Sequence, residues 1–391
     1  MLRKVVGIIL VLFLLVPLIS WAVWYLSPVR AIRILIVDKT STTLEGREHR
    51  SFNWILTYEK FTKPGKGTYA VSADYAGFVP LANGKYTTRG LEWYAESRID
   101  SLSRQYDMTY YVDTYGVERR EWFGSDTTEH PGPAMLYGGL QRNDLLFLEA
   151  MKKEKKLILA EFNFFASPTT DSMRVAAGQL FGLHWTGWTG RYYESLDTVN
   201  NPELPHWVVA LYKRNHNYQW PFHHQGLVFV NTSEQVAVLE YPTHLSRSMP
   251  SIESSDDAEK RFHIPGSLPY PYWFDITLAD TLHTVVSYYI LSTNQAGDSV
   301  LHAFGIPKIF PAVIEQRDQY RFYYFAGDFA DNPIWSTAWA HFRGIVWLRP
   351  RLLDEAEAGD RRNFYWRYYY PLVRTIIHEY YADRHLKATD P

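Results

Sequence analysis

The residues best placed to do chemistry are three carboxylates and a histidine: Glu161, Glu240, Asp328 and His244. Glu161 directly follows Leu157-Ile158-Leu159-Ala160, a run that is apolar on both faces, as a central parallel strand should be. A carboxyl group at the end of such a strand, next to Phe162, is partly desolvated; that raises its pKa and suits it to general acid or base work. The plainer reading is a glutamate satisfied by backbone amides or by an arginine. Glu240 and His244 stand on a strand and in the turn after it, a spacing that allows a hydrogen-bonded pair. Asn163 can orient a substrate hydroxyl or cap the next turn. Trp185, Trp188, Arg191, Tyr192 and Tyr193 form a candidate sugar platform, since flat apolar rings with polar edges suit pyranose faces; the alternative is a packed aromatic loop.

Other chemistries are excluded by what surrounds their residues. The chain has no cysteine, which removes thiolate catalysis, disulfides and Cys-zinc sites together. His223 and His224 are adjacent, so on an extended chain they point oppositely and rarely share one ion. His378-Glu379 lacks the later histidine of a zincin, position 382 being alanine. No phosphate loop follows Gly138-Gly139, and no Gly-x-Ser-x-Gly elbow occurs. No cofactor and no metal are therefore expected. The formal net charge is −2 and no basic tract occurs, so nucleic acid is not an expected partner.

The elements that must position these residues centre on Ala134 to Leu183. A short apolar run ends at Gly138-Gly139, Asn143 caps a helix over Asp144 to Lys155, and the Leu157 strand follows. Ser167-Pro168 breaks the chain, and a second helix runs from about Thr170 to Leu183. Strand, helix, strand, helix with short links is the pattern of a doubly wound α/β domain. Ala31 to Val37 reads as its first strand, ending at Asp38. A helix over His49 to Phe61, another over Leu91 to Tyr106 and a strand over Met108 to Val112 follow. His184 to Asp197 reads as a ring-rich loop. Later strands are expected at Gly226 to Asn231, Val236 to Glu240, Tyr270 to Ile276, Val285 to Leu291, Ala312 to Glu315 and Arg321 to Phe325. Right-handed crossovers then bring Asp38, Gly138, Gly139, Glu161, Asn163, Glu240, His244 and Asp328 to the carboxyl edge of one sheet. Gly138, Gly139, Asn163, Trp185, Trp188 and Arg191 are the expected ligand contacts.

At the amino terminus, 1–4 is a short polar-flanked segment and 5–26 an uncharged run long enough to cross a bilayer. Trp21, Trp24 and Tyr25 resemble an interfacial belt, while Ser20-Trp21-Ala22 also fits a cleavable signal peptide. The expected placement is a single-pass signal anchor in the cell membrane, with the globular part outside the cytoplasm. Residues 31–348 form one domain, and 349–391 a helical tail rich in rings and arginines. That tail either packs on the domain or meets envelope proteins or a membrane surface.

Gly-Gly after a strand, then a helix, lysine and an Ile-Leu-Ala strand running into a turn, resembles the core of the class I glutamine amidotransferase-like superfamily. Laying ILAEFNF on that pattern puts Phe162, or Asn163 or Glu161 in a shifted register, where active members carry a cysteine nucleophile. RFYYFAGDF (321–329) followed by AHFRGIVWL (340–348) resembles the Cys-less trehalose-utilisation-like branch, with Gly327-Asp328 where that branch usually shows Gly-His. The resemblance implies an α/β fold with a doubly wound, mostly parallel, flavodoxin-like sheet and large insertions, preceded here by the transmembrane helix. It also implies a carbohydrate ligand. The expected function is a membrane-anchored pseudoenzyme, a binding or scaffold component of carbohydrate or bacterial cell-envelope polysaccharide metabolism. The alternatives are a sugar-processing enzyme using Glu161, Glu240, His244 or Asp328, and a structural subunit of a membrane complex. Paired carboxyl groups in an open cleft favour the enzyme; a site filled by Phe162 favours the scaffold.

Overall fold

The computed structural model describes residues 15–65, 67–124, 133–334, 336–353 and 359–389. Its centre is five parallel strands, β1 (Ile34–Asp38), β2 (Ala76–Pro80), β3 (Met108–Asp113), β4 (Leu157–Glu161) and β5 (Arg321–Phe325). They lie side by side in the order β5-β4-β3-β1-β2. Antiparallel strands extend both edges. Tyr86–Arg89 pairs with β2, and Ile309–Gln316, Thr284–Ile290, Ser251–Ser254 and Ser267–Pro269 continue outward from β5.

The central strands are buried on both faces, which is why they read as continuous apolar runs. On β3 the alternation of side chains sends Tyr110 to one layer and Tyr111 to the other. Tyr110 meets Phe52 of helix α1 (Arg47–Tyr58) edge-on at 4.9 Å, and its hydroxyl lies 3.3 Å from that of Tyr369 in the tail. Tyr111 donates to Asp144 of helix α2 (Arg142–Lys153) at 3.1 Å. Helix α3 (Asp171–Phe181) joins α2 on that second layer, with Phe181 stacked on Phe322 of β5 at 4.2 Å. A capping box between Gln141 and Asp144 starts α2, two residues earlier than an Asn143 cap would; the Asn143 amide instead donates to Leu91 O and Tyr94 O.

A separate antiparallel sheet is built from Leu183–Tyr193, Gly226–Asn231, Val236–Glu240 and Phe274–Ala279. The expected ring-rich loop over 184–197 is therefore mostly strand: Leu183, Trp185, Trp188 and Tyr192 are buried, an inward set that needs a pleated surface to pack against. This sheet joins the main one where Phe274 bridges Gly327 and Asp275 N donates to Ala326 O at 3.1 Å.

The tail folds onto the α1 layer. Tyr365, Tyr368, Tyr369, Leu372 and Ile377 are fully buried, and helix α4 (Tyr370–Thr389) is fastened to α1 through Glu59. Glu59 Oε1 accepts from Tyr370 Oη at 2.6 Å and Arg374 Nε at 3.0 Å, and Oε2 pairs with His378 Nε2 at 3.0 Å. Burial alone would raise the Glu59 pKa. The hydrogen bonds from His378 and Tyr370 and the Arg374 charge outweigh it and hold the carboxylate at about 2.

Two expectations are corrected. The main sheet is a ten-stranded mixed sheet rather than a mostly parallel doubly wound one. The link from Ile309–Gln316 to β5 is a tight turn, too short for the crossover of about a dozen residues that parallel pairing needs, so that pair is a hairpin. The single-pass anchor is also overturned: among the described residues no helix is long and apolar enough to cross a membrane. The described part of that run, a helix over 15–26, reaches about 18 Å at 1.5 Å per residue, against about 30 Å of hydrocarbon. It lies on the domain, with the Trp24 indole donating to Thr57 O at 3.0 Å and Ser20 Oγ to Arg343 O at 2.6 Å. Residues 1–14, including the first part of the expected anchor, lie outside the described residues.

Candidate functional site

Four adjacent parallel strands deliver a carboxyl group to the same edge. β1 ends in Asp38, β3 in Asp113 and β4 in Glu161, and Asp328 follows β5 by three residues. Carboxyl ends of parallel strands are where open α/β sheets place ligands. So many like charges at one edge require compensation, and each carboxylate obtains it differently.

Asp38 is neutralised by an imidazole. Its Oδ2 lies 2.5 Å from His49 Nδ1, both residues fully buried, while Oδ1 accepts the amides of Thr40 and Ser41 at 3.0 Å each. His49 Nε2 faces Val71 O at 2.9 Å. Two acceptors on one ring require two N–H donors, so the ring is the imidazolium. Burial opposes that charge, but the Asp38 hydrogen bond and charge, helped by the Val71 carbonyl, raise the His49 pKa.

Glu161 is closed off inside the fold. Oε2 accepts from Tyr110 Oη at 2.7 Å and Oε1 from Ala330 N at 3.3 Å, and the residue is 2% exposed. Burial, reinforced by the nearby charges of Asp328 and Asp113, pushes its pKa well above the ordinary range; the Tyr110 bond opposes this. Burial thus favours its neutral form.

Asp113, Asp328 and Glu48 remain at the surface of the edge, half-buried. Asp113 Oδ1 accepts from Tyr115 N at 2.7 Å and from the Asn163 amide at 3.3 Å. Burial, then Asp38 and Asp328, raise its pKa strongly. Glu48, in the first turn of α1, is pushed up to about 7 by burial and by Asp38, and its Oε2 has no partner. Asp328 shares a guanidinium with Asp331: Arg361 Nη2 lies 3.0 Å from Asp328 Oδ2 and Arg361 Nη1 3.1 Å from Asp331 Oδ2. Arg47 closes the other side of Asp331 at 3.0 Å.

An aromatic corner stands beside this rim. The Trp273 carbonyl accepts the Asp328 amide at 3.0 Å, so the two residues are neighbours along paired main chains. Phe162, 8% exposed, stacks on Trp273 at 6.4 Å; Tyr193 meets it edge-on at 6.5 Å and the Arg191 guanidinium lies 5.7 Å from its centre. The left-handed residue after β4 is Asn163, with φ 72°, a conformation asparagine tolerates better than most. The turn thus presents an amide outward and folds the Phe162 ring inward.

The remaining expected residues fall elsewhere. Glu240 and His244 do not pair through their side chains. Glu240 Oε1 accepts the His223 and His224 amides at 2.7 and 2.8 Å, and His244 Nδ1 accepts from Glu240 N at 3.1 Å. Both line a separate cavity of about 480 Å³ beside Tyr212, Phe222 and Phe304. Gly138 and Gly139 serve chain packing. A Cβ on Gly138 would come within 2.6 Å of Tyr115 O, and Gly139 O accepts from the buried Lys39, which also pairs with Asp144 at 2.7 Å. Trp185 is buried under Arg174 at 4.7 Å, and Trp188 packs on Phe304 at 5.8 Å. Of that expected platform Arg191, paired with Glu203 at 2.5 Å, and Tyr193 reach the aromatic corner.

The edge therefore unites Asp38, Glu161, Asn163 and Asp328 with residues not expected there: His49, Glu48, Asp113, Arg361 and Trp273. His49, one α-helical entry after Asp38, had a local signal in its spacing; Arg361 and Trp273 had none. Among the described residues no group of three histidines or carboxylates is arranged to hold a metal ion. What the rim offers is carboxyl groups with raised pKa values, an amide and an aromatic ring. No family model matches the chain, and no curated protein matches it. Among solved structures it is similar to a thua-like protein from Bacteroides uniformis ATCC 8492, with a TM-score of 0.36 and 9% identity over 81% of this chain and 89% of that chain. At that level the likeness assigns neither family nor activity, and the chemistry of this chain rests on its own residues.

Proposed function

We propose that the carboxyl edge binds a carbohydrate, and that the chain acts as a binding component rather than a glutaminase. The observation that carries this is the backbone hydrogen bond that sets Trp273 next to Asp328 at the edge. A pyranose offers an apolar C–H face to a ring and hydroxyls at its edge to carboxylates, and Trp273, Asp328, Asp113 and Asn163 offer those two surfaces side by side. Phe162 fills the space at the end of β4, and Glu161 is bonded internally, which supports binding over turnover. Titration with a panel of neutral mono- and disaccharides, followed by tryptophan fluorescence and calorimetry, tests it. Trp273→Ala should weaken binding at least tenfold without lowering the melting temperature materially; no sugar binding at millimolar concentration would overturn it.

A second reading, acid–base processing of the bound sugar, is favoured by one observation. Glu48, pushed up to about 7, and Asp113, also raised by burial, stand together at the half-buried rim, where a carboxyl group near neutrality suits acid–base work. Loss of turnover of aryl glycosides in Asp113→Asn, with sugar affinity retained, would establish it.

A further inference from the structure

The sheet opens between β1 and β2 at the amino end of β1, on the other side of Tyr75 from His49 and the carboxyl edge. β1 pairs with β3 along its length but with β2 only at Val37–Ala76 and Asp38–Gly77. Beside Ile34 the place of a strand is taken by Tyr69, whose hydroxyl donates to Ile32 O at 2.6 Å and accepts from Ile34 N at 2.8 Å. The gap is a cleft of about 700 Å³, inside the range of about 300–1,000 Å³ typical of small-ligand sites.

Its floor and mouth differ in a useful way. Tyr69 and Tyr75 form a buried floor, each 6% exposed, whereas Trp93 and Tyr94 stand at the mouth, 72% and 44% exposed. Two large rings left in water beside a formed cleft are apolar faces without an internal partner. The cleft's charged residues are three cations and one carboxylate. Lys63 is paired with Asp74 at 2.5 Å, and Arg33 with Asp107 at 2.5 Å. Arg89 is exposed, lies 5.2 Å over the Tyr75 ring and donates to Ala73 O at 2.8 Å, with no carboxylate partner among the described residues. Its remaining N–H groups keep the planar fork that matches a carboxylate or sulfate.

From this geometry we infer a second ligand site, for a short acidic oligosaccharide such as an oligouronate. Trp93 and Tyr94 take successive sugar faces at the mouth, and Arg89 takes the acidic substituent. The site is independent of the Trp273 edge and stands or falls without it.

The experiment is calorimetric titration of the full chain with α-1,4-trigalacturonate and with its neutral analogue, α-1,4-galactotriose. Wild type should bind the acidic trisaccharide at least tenfold more tightly, with affinity falling as salt rises. Trp93→Ala should weaken it at least tenfold, Arg89→Gln should erase both the acidic preference and the salt dependence, and Trp273→Ala should leave it unchanged. All three positions are at least partly exposed, and matching melting temperatures would verify folding. Failure of trigalacturonate to bind at millimolar concentration, equal binding of the two sugars by wild type, or loss of binding in Trp273→Ala but not Trp93→Ala, would each overturn the assignment.

Discussion

The Tyr110 hydroxyl donates to Glu161 Oε2 at 2.7 Å, and this contact, within the protein, occupies the carboxyl group at the end of β4. Because burial raises the Glu161 pKa, folding favours the protonated form. Its stabilising contribution is present below the unfolded value of about 4.3 and declines as pH rises toward the folded pKa. Glu161→Gln keeps the shape and a hydrogen-bonding amide without that liability. Thermal melts from pH 5 to 9 should show the variant gaining on wild type as pH rises. A uniform loss of more than about 2 kcal/mol would instead mean an ionised, acceptor-only carboxylate.

His49 carries the opposite dependence. Its folded pKa is raised, so its contribution is complete below the unfolded value of about 6.5 and is lost as pH climbs through the folded pKa. His49→Gln, which strands a buried Asp38 beside a neutral amide, should cost about 3–5 kcal/mol at pH 6. The cost should shrink at pH 9, as urea denaturation at the two pH values would reveal.

Glu59 predicts acid sensitivity of the tail. Its pKa is depressed to about 2, so its contribution is full above about 4.3 and disappears as pH falls through that interval. Hydrogen exchange at pH 7 on Glu59→Gln should show α4 deprotected and the α2 layer unaffected. Equal protection of both in the variant would refute the fastening role.

Arg361 holds two acids at once. Arg361→Met should destabilise by about 3–5 kcal/mol, since it leaves Asp328 and Asp331 facing each other. Adding Asp331→Asn should recover part of the loss. Additive losses in that double mutant would show that the shared guanidinium is not the cause.

Local pattern revealed the elements but not their partners. The bounds of Gly226–Asn231, Val236–Glu240 and Arg321–Phe325 are those expected, because alternation and flanking turn residues are written in a few consecutive positions. The Leu91 to Tyr106 helix is shorter, Glu96–Ser103, preceded by a 3₁₀ turn whose carbonyls are held by Asn143. That contact spans 52 positions and has no local mark. The site shows the same division. Glu161 and Asp328 were legible as strand-end carboxylates, but what disarms Glu161 is Tyr110 on another strand, and what positions Asp328 is Arg361 in the tail. Glu240 and His244 had suitable spacing, yet the bonds that form join backbone amides to each of them.

The Glu59 fastening bears on synthesis as well as stability. One face of the central sheet is covered by α1 together with residues 365–380, so a nascent chain that has made all five parallel strands still displays Tyr110, Phe52 and Glu161 to water. Emerging at about 5–20 residues per second, the tail follows β5 within seconds. The cover of that face is thus completed only once residues 365–380 are made and packed against α1.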